Sequence, residues 1–310
     1  MPSGRFAPSP TGHLHLGNLR TALAAWLFAR STSSSFLVRM EDLDRAQSSD
    51  EHAGSQLRDL RALGLDWDGE VVRQSDRFER YHAAIDELSD RGLTYPCFCT
   101  RREIREAASA PHVGPQPDGA YPGTCRHLSA GERSARERDG RPPAIRLRSD
   151  GVEVTVTDDL LGPITAVVDD VVLRRNDGTP AYNLAVVVDD AAQGVEQVVR
   201  ADDLALSSPR QRHLATLLGL PPVRYAHVPL VLGPSGQRLA KRDGAATLAD
   251  QAREGRGPDA VRALLAHSLG QSEFDVTPTA ADLASSFRPL DVSPEAWTVP
   301  EVVLKASSEP

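Results

Sequence analysis

Arg5-Phe6-Ala7-Pro8-Ser9-Pro10-Thr11-Gly12-His13-Leu14-His15-Leu16-Gly17-Asn18 decides how this chain is read. Residues 4 to 10 predict a short strand running into a Pro/Ser/Gly turn at Pro8–Gly12. A helix follows, with Leu19, Leu23, Trp26 and Leu27 on one apolar face at helical spacing. A strand whose glycine-bearing turn opens a helix aims backbone N–H groups and the helix N-terminus at one spot, which suits phosphate. The turn is neither a P-loop nor a dinucleotide fingerprint, since G-x-x-x-x-G-K-[ST] and G-x-G-x-x-G are both absent. A histidine beside it can donate to phosphate oxygens without acting as a nucleophile.

Outward from that turn, Phe36-Leu37-Val38-Arg39-Met40 is a compact buried strand that ends in Glu41-Asp42-Leu43-Asp44. Residues 50 to 63 and 75 to 91 predict amphipathic helices, the second stopped by Gly92. Strand, helix, strand, helix in this order implies a parallel α/β sheet. From about residue 96 the character changes: cysteines appear, Gly, Pro and Asp cluster through 110 to 124, and an arginine-rich segment follows. Strands are expected within 152–175, then an Asn176-Asp177-Gly178 turn. A helix at 180–189, a strand at Val195–Val199 and a helix at 208–218 resume the α/β pattern. The expected fold class is α/β, a doubly wound parallel (Rossmann-like) domain split into residues 1–95 and 171–245 by an inserted α+β subdomain at 96–170. Residues 246–310 are expected to be a small, loose helical region with a frayed tail.

Composition narrows the function. A hydrophobic fraction of 40% and a charged fraction of 25% are those of a globular protein. No apolar run approaches the roughly 18 residues that span a bilayer. The N-terminus lacks the features of a signal peptide, and three cysteines form no even disulfide framework. The expected location is the cytoplasm. A net charge of −8 argues against a bulk polyanion binder but not against a local basic face. One candidate exists: Arg126, Arg133, Arg136, Arg138, Arg141, Arg146 and Arg148 outnumber Glu132, Glu137, Asp139 and Asp150. Of the 35 basic residues only Lys241 and Lys305 are lysines. A lysine kept in Leu239-Ala240-Lys241-Arg242-Asp243-Gly244 suggests a need for the compact point charge of an ammonium. Cys97, Cys99 and Cys125 could hold a tetrahedral Zn²⁺, with Tyr121, His112 and His127 competing for the fourth corner.

Read whole, the opening string resembles the HIGH signature of class I aminoacyl-tRNA synthetases, and is similar in particular to its glutamyl form. The resemblance implies that His15 and Lys241 serve catalysis, and that Pro8, His15, Gly17, Asn18 and Lys241 bind ATP with its Mg²⁺. Asn18 stands where the class signature has its last histidine, and His13 falls on a variable position and reads as surface. Arg238-Leu239-Ala240-Lys241-Arg242 looks like a degenerate KMSKS loop. Arg5, Ala7, Ser9, Glu41, Tyr182 and Arg200 match the glutamate-binding positions one by one. A substrate with two carboxylates and an ammonium needs such arginine forks and a carboxylate. The likeness covers residues 4 to 245, and only about 65 residues follow the lysine loop.

This short tail, Cys-x-Cys followed by Tyr-x-x-x-Cys, and Val186-Val187-Val188-Asp189-Asp190 look like the glutamyl-Q tRNA(Asp) synthetase family. Family membership would make Cys97, Cys99, Tyr121 and Cys125 the ligands of one structural Zn²⁺. It would also make L-glutamate, activated by ATP, pass to the queuosine base of tRNA(Asp), in a monomeric enzyme. The alternatives are a shortened synthetase charging a tRNA 3′ end, and an idle RNA-binding paralogue.

Overall fold

The computed structural model describes residues 3–100, 102–104, 120–140, 142–239, 244, 246–273 and 275–304. In chain order the first elements are β1 (Ser3–Phe6), α1 (Leu16–Arg30), β2 (Ser35–Met40), α2 (Asp50–Ala62), β3 (Val72–Arg73), α3 (Phe78–Asp90) and β4 (Thr94–Cys97). Then come α4 (Ala130–Arg138), β5 (Ala144–Leu147), β6 (Glu153–Asp158), β7 (Gly162–Val167) and β8 (Val172–Arg174). The chain continues through α5 (Tyr182–Ala192), β9 (Val195–Ala201), α6 (Ser208–Leu217), β10 (Arg224–Val228) and β11 (Val231–Leu232). It closes with α7 (Leu248–Arg253), α8 (Pro258–Ser268), α9 (Ala280–Ser286), β12 (Trp297–Thr298) and α10 (Glu301–Leu304).

Seven strands form the main sheet in the order β3-β2-β1-β9-β10-β6-β7. All neighbours run parallel except the final β6–β7 hairpin. In β2, Phe36, Val38 and Met40 are buried on one face and Arg39 on the other, as a strand covered on both faces requires. The chain leaves β1 towards β2 on one side and reaches β9 on the other much later. β1 and β9 therefore flank a topological switch point, with a crevice outside their carboxyl ends. A separate antiparallel sheet, β4-β5-β8, stands beside this body.

Two expectations change. The hairpin at 153–167, read with the inserted segment, instead extends the main sheet: Tyr225 of β10 pairs with Asp158 of β6. Its apolar side chains alternate, as a strand with one exposed face requires. The described residues of 246–304, read as loose, contribute to the core. Val261, Leu265, Leu269, Leu283 and Val299 share one buried cluster with α1. This explains why α1 is apolar nearly all round: Ala22, Ala24, Ala25 and Ala29, off the expected stripe, are also buried. The Arg20 side chain, buried on α1, donates to the Pro229 carbonyl (2.6 Å) and to the Ser268 hydroxyl (3.0 Å) and carbonyl (3.1 Å), tying β10's exit to α8.

Candidate active site

A cleft of about 570 Å³ opens at the carboxyl ends of β1, β2 and β9, and it gathers most of the residues singled out in the sequence. Arg5, Ala7, Pro8, Ser9, His15, Asn18, Glu41, Tyr182 and Arg200 all line it. Gly17 does not line it, and Lys241 lies outside the described residues. A second cavity of about 730 Å³ shares Ser9, Glu41 and Tyr182 with the first and reaches Cys99, Arg146 and Arg175.

The histidine turn is built by capping. His15 is the N-cap of α1, and its Nδ1 accepts from the backbone N–H of Gly17 (3.1 Å) and of Asn18 (3.3 Å). Asn18 Oδ1 accepts the His15 backbone N–H in return (3.2 Å), a reciprocal capping box. Because Nδ1 accepts, the ring proton sits on Nε2, which fixes the imidazole as an N–H donor on its other edge. Gly17 supplies clearance, since a Cβ there would lie 2.9 Å from His15 Cε1 and 3.0 Å from Nδ1. Gln56 of α2 holds the preceding turn by donating to the carbonyls of Ser9 (3.0 Å) and Gly12 (2.8 Å). His13, read as surface, is exposed at the rim, its Nδ1 2.9 Å from Ser55 Oγ.

The charged floor of the cleft is a network. Asp190 on α5 receives Arg5 Nε at 3.3 Å and Arg39 Nη1 at 2.8 Å. Arg39, fully buried, also reaches Glu41 at 3.2 Å. Asp189 accepts from Arg77 (2.6 Å), Tyr81 (2.7 Å) and Gln74 (2.9 Å). Burial pushes the Asp190 carboxyl up, but Arg5 and Arg39 outweigh it and hold it below the usual carboxylate range. At Glu41 burial wins over the pull of Arg39 and Arg5, so its carboxyl is raised. A second cation brought alongside Glu41 would favour its charged form, which suits a substrate ammonium.

Arg200 on β9 is held on every edge. Its Nε donates to His227 Nε2 (3.0 Å), and Nη2 donates to Ser208 Oγ (2.8 Å) and the Leu204 carbonyl (3.2 Å). Its Nη1 donates to Gln211 Oε1 (2.9 Å) and, at 3.5 Å, to the Tyr182 hydroxyl. The last is the longest bond and joins two cleft residues, so a carboxylate entering there has a guanidinium and a phenol to receive it.

The lysine loop's described flanks lie at the same place. Arg238 lines the cleft, and beyond the loop the Ala246 carbonyl accepts the Leu16 N–H at 2.8 Å. Gly244 needs to be glycine: its φ is +113°, and a Cβ would sit 2.3 Å from the Leu304 carbonyl oxygen.

Beside the β4-β5-β8 sheet, the sulfurs of Cys97, Cys99 and Cys125 all lie within 4.8 Å of one another. Cys99 and Cys125 Sγ are 3.4 Å apart, and the Tyr121 hydroxyl is 3.3 Å from Cys97 Sγ and 3.6 Å from Cys99 Sγ. Tetrahedral zinc with bonds of about 2.3 Å spaces its sulfurs about 3.8 Å apart, so three sulfurs and the phenol oxygen fit the ion. A hydrogen bond from Cys99 brings the Cys97 thiol down to about 5 against its burial. The same bond, helped by burial, holds the proton on Cys99. His127 is absent from this cluster, and His112 lies outside the described residues.

Arg39, Gln56, Gln211 and His227 were not singled out in the sequence, and Asp190 entered only as the end of the Val186–Asp190 run, with no role. The only local trace was the Asp189-Asp190 pair in an otherwise apolar helix.

Comparison with known proteins identifies the family. The family model described as tRNA synthetases class I (E and Q), catalytic domain, matches residues 3–273. The chain is 58% identical over 307 residues to a glutamyl-Q tRNA(Asp) synthetase of Nocardia farcinica, spanning 99% of this chain and 96% of that one. It is 56% identical over 273 residues to the protein of the same name from Cutibacterium acnes, spanning 87% and 77%. The glutamate-tRNA synthetase structure from Elizabethkingia anophelis superposes with a TM-score of 0.81 at 25% identity, over 97% of this chain and 69% of that one.

Proposed function

Because the chain belongs to the class I tRNA synthetases of the E and Q type, a family of ligases, we propose that its cleft adenylates L-glutamate and that the product is transferred to the queuosine base of tRNA(Asp). The observation that carries the reading is one cleft holding both the His15–Asn18 turn and Arg5, Glu41, Tyr182 and Arg200. ATP, with Mg²⁺, lies with its phosphates on the turn, where His15 donates and Pro8, Gly17 and Asn18 shape the backbone. Arg200 and Tyr182 receive one glutamate carboxylate, Arg5 the other, Ser9 and Ala7 line the pocket, and Glu41 receives the ammonium. Glutamine is disfavoured because an amide placed against Arg200 leaves the site mispaired.

The α-carboxylate oxygen attacks the α-phosphorus. An O–P bond forms, the bond to the β-phosphate oxygen breaks, and pyrophosphate leaves with its charge stabilised by Lys241. A queuosine hydroxyl then attacks the acyl carbon and AMP departs. Every residue in this scheme positions or neutralises charge, and none is a nucleophile. The second cavity supports the transfer, since it offers the acceptor a route to the acyl group past Arg146 and Arg175. Zn²⁺ on Cys97, Cys99, Tyr121 and Cys125 supplies a structural crosslink within that wall. We retain the four-part division at 95, 170 and 245, with the β6–β7 hairpin contributing to the catalytic sheet. A cytoplasmic monomer completes the reading. The choice of queuosine follows the names of the relatives.

ATP–pyrophosphate exchange tests the adenylation step. Exchange that depends on glutamate and not on glutamine is expected; exchange at background with glutamate present would contradict it.

A further inference from the structure

Parallel strands β9 and β10 pair Arg200 directly with His227, so both side chains leave the same face of the sheet. His227 is fully buried. Its Nδ1 lies 2.6 Å from Asp158 Oδ2, and its Nε2 accepts Arg200 Nε at 3.0 Å. Asp158 ends β6 and is itself pinned: Oδ1 accepts the N–H of His227 (3.2 Å), Leu160 (3.0 Å) and Leu161 (2.9 Å). We infer that Asp158 and His227 are positioning residues, a dyad that fixes the Arg200 guanidinium for the substrate carboxylate.

The inference rests on the proposed function, in which Arg200 binds glutamate. The chemistry is that of an orienting relay. A carboxylate at Nδ1 forces the neutral imidazole to carry its proton there, which leaves Nε2 with a lone pair. The Arg200 Nε–H is a donor that needs an acceptor, so only this tautomer serves. The imidazolium would present a donor to a donor. The charged or ring-bearing groups facing His227 are Asp158 from β6, Arg200 from β9, Asp202 beyond β9 and Tyr225 on its own strand. Burial, opposed by Asp158 and reinforced by Arg200, keeps the imidazole below its ordinary range and so neutral. The β6–β7 hairpin thereby contributes to the site as well as to the sheet, because the end of β6 carries the carboxylate on which the relay depends.

Two substitutions separate this role from mere packing. His227→Asn keeps a donor near the Nδ1 position and loses the acceptor at Nε2; His227→Gln keeps an acceptor near Nε2. In glutamate-dependent ATP–pyrophosphate exchange, His227→Asn should raise the glutamate KM about 10- to 100-fold, the loss expected for one bond to a charged donor. The ATP KM should be unmoved, and His227→Gln should recover most of the loss. Equal effects of the two substitutions, or an ATP KM rising in step, would overturn the inference. Nitrogen NMR of the unsubstituted protein decides independently of activity. The His227 signal, assigned by its absence in His227→Gln, should show a neutral ring protonated at Nδ1 near pH 7. A ring protonated at Nε2, or an imidazolium, would overturn the dyad even if glutamate is activated. Absence of exchange in the unsubstituted protein would instead refute the reading of function, with the NMR still deciding the dyad.

Discussion

Replacing Asp190 by asparagine keeps the side chain's volume and removes the charge shared by two buried guanidiniums. Arg5 Nε would lose a carboxylate at 3.3 Å and Arg39 Nη1 one at 2.8 Å. Breaking a buried ion pair from one side costs about 3–5 kcal/mol, because the remaining charge stays desolvated. Here Arg39 retains Glu41 at 3.2 Å and Asp189 at 3.8 Å, so the low end, about 3 kcal/mol, is expected. For a chain of 310 residues that corresponds to a fall in melting temperature of about 4–5 °C. The carboxyl is held below its ordinary range in the folded state. Its stabilising contribution is therefore complete above the unfolded value of about 3.9 and fades as pH falls through the lower folded value. Urea unfolding at pH 7 and pH 3 measures this, with the gap between native protein and Asp190→Asn largest at pH 7 and narrower at pH 3. Arg5 would also lose its anchor, so the glutamate KM should rise with stability lost. A loss below about 1 kcal/mol at pH 7 would refute the network as a charged floor, since that is what one neutral hydrogen bond contributes.

Gly17→Ala should lower the rate of adenylate formation about tenfold or more while leaving stability within about 1 kcal/mol, because helix propensity offsets the crowding of His15. An unchanged rate would mean that the ring's position is immaterial. Gln56→Leu strands two carbonyls of the phosphate turn and should destabilise by about 2 kcal/mol, with a raised ATP KM. Urea unfolding and exchange kinetics check both parts. Cys125→Ser should lower bound zinc below one per chain, measured by elemental analysis of the purified protein, and lower its melting temperature; undiminished zinc would show that the metal sits elsewhere.

What the sequence disclosed was local. The strand, turn and cap from Arg5 to Asn18 carry their geometry within a few residues, so the phosphate turn could be read directly. Cys97, Cys99 and Cys125 likewise stand out by spacing, whereas Tyr121 was preferred over His112 and His127 only through the family resemblance. The pairs that hold the arginines do not. Arg39 and Asp190 stand 151 positions apart, and His227 and Asp158 stand 69 apart. No periodicity joins them, and no local pattern marks them as partners. The C-terminal helices show the same limit: residues 246–310 read as helical and loose, and only the fold discloses that Val261, Leu265 and Leu269 share a buried cluster with α1. The hairpin at 153–167 has the alternation of a half-exposed pair of strands, and nothing within it selects β10 as its neighbour.

The central claim is that glutamate, once adenylated in the cleft, is placed on queuosine. The protein, ATP and labelled glutamate should be incubated with tRNA from cells that make queuosine and from cells that do not. Label confined to the queuosine-containing tRNA(Asp) is the predicted result. Equal label on queuosine-free tRNA(Glu) would contradict the account and identify the chain as an enzyme that charges a tRNA 3′ end.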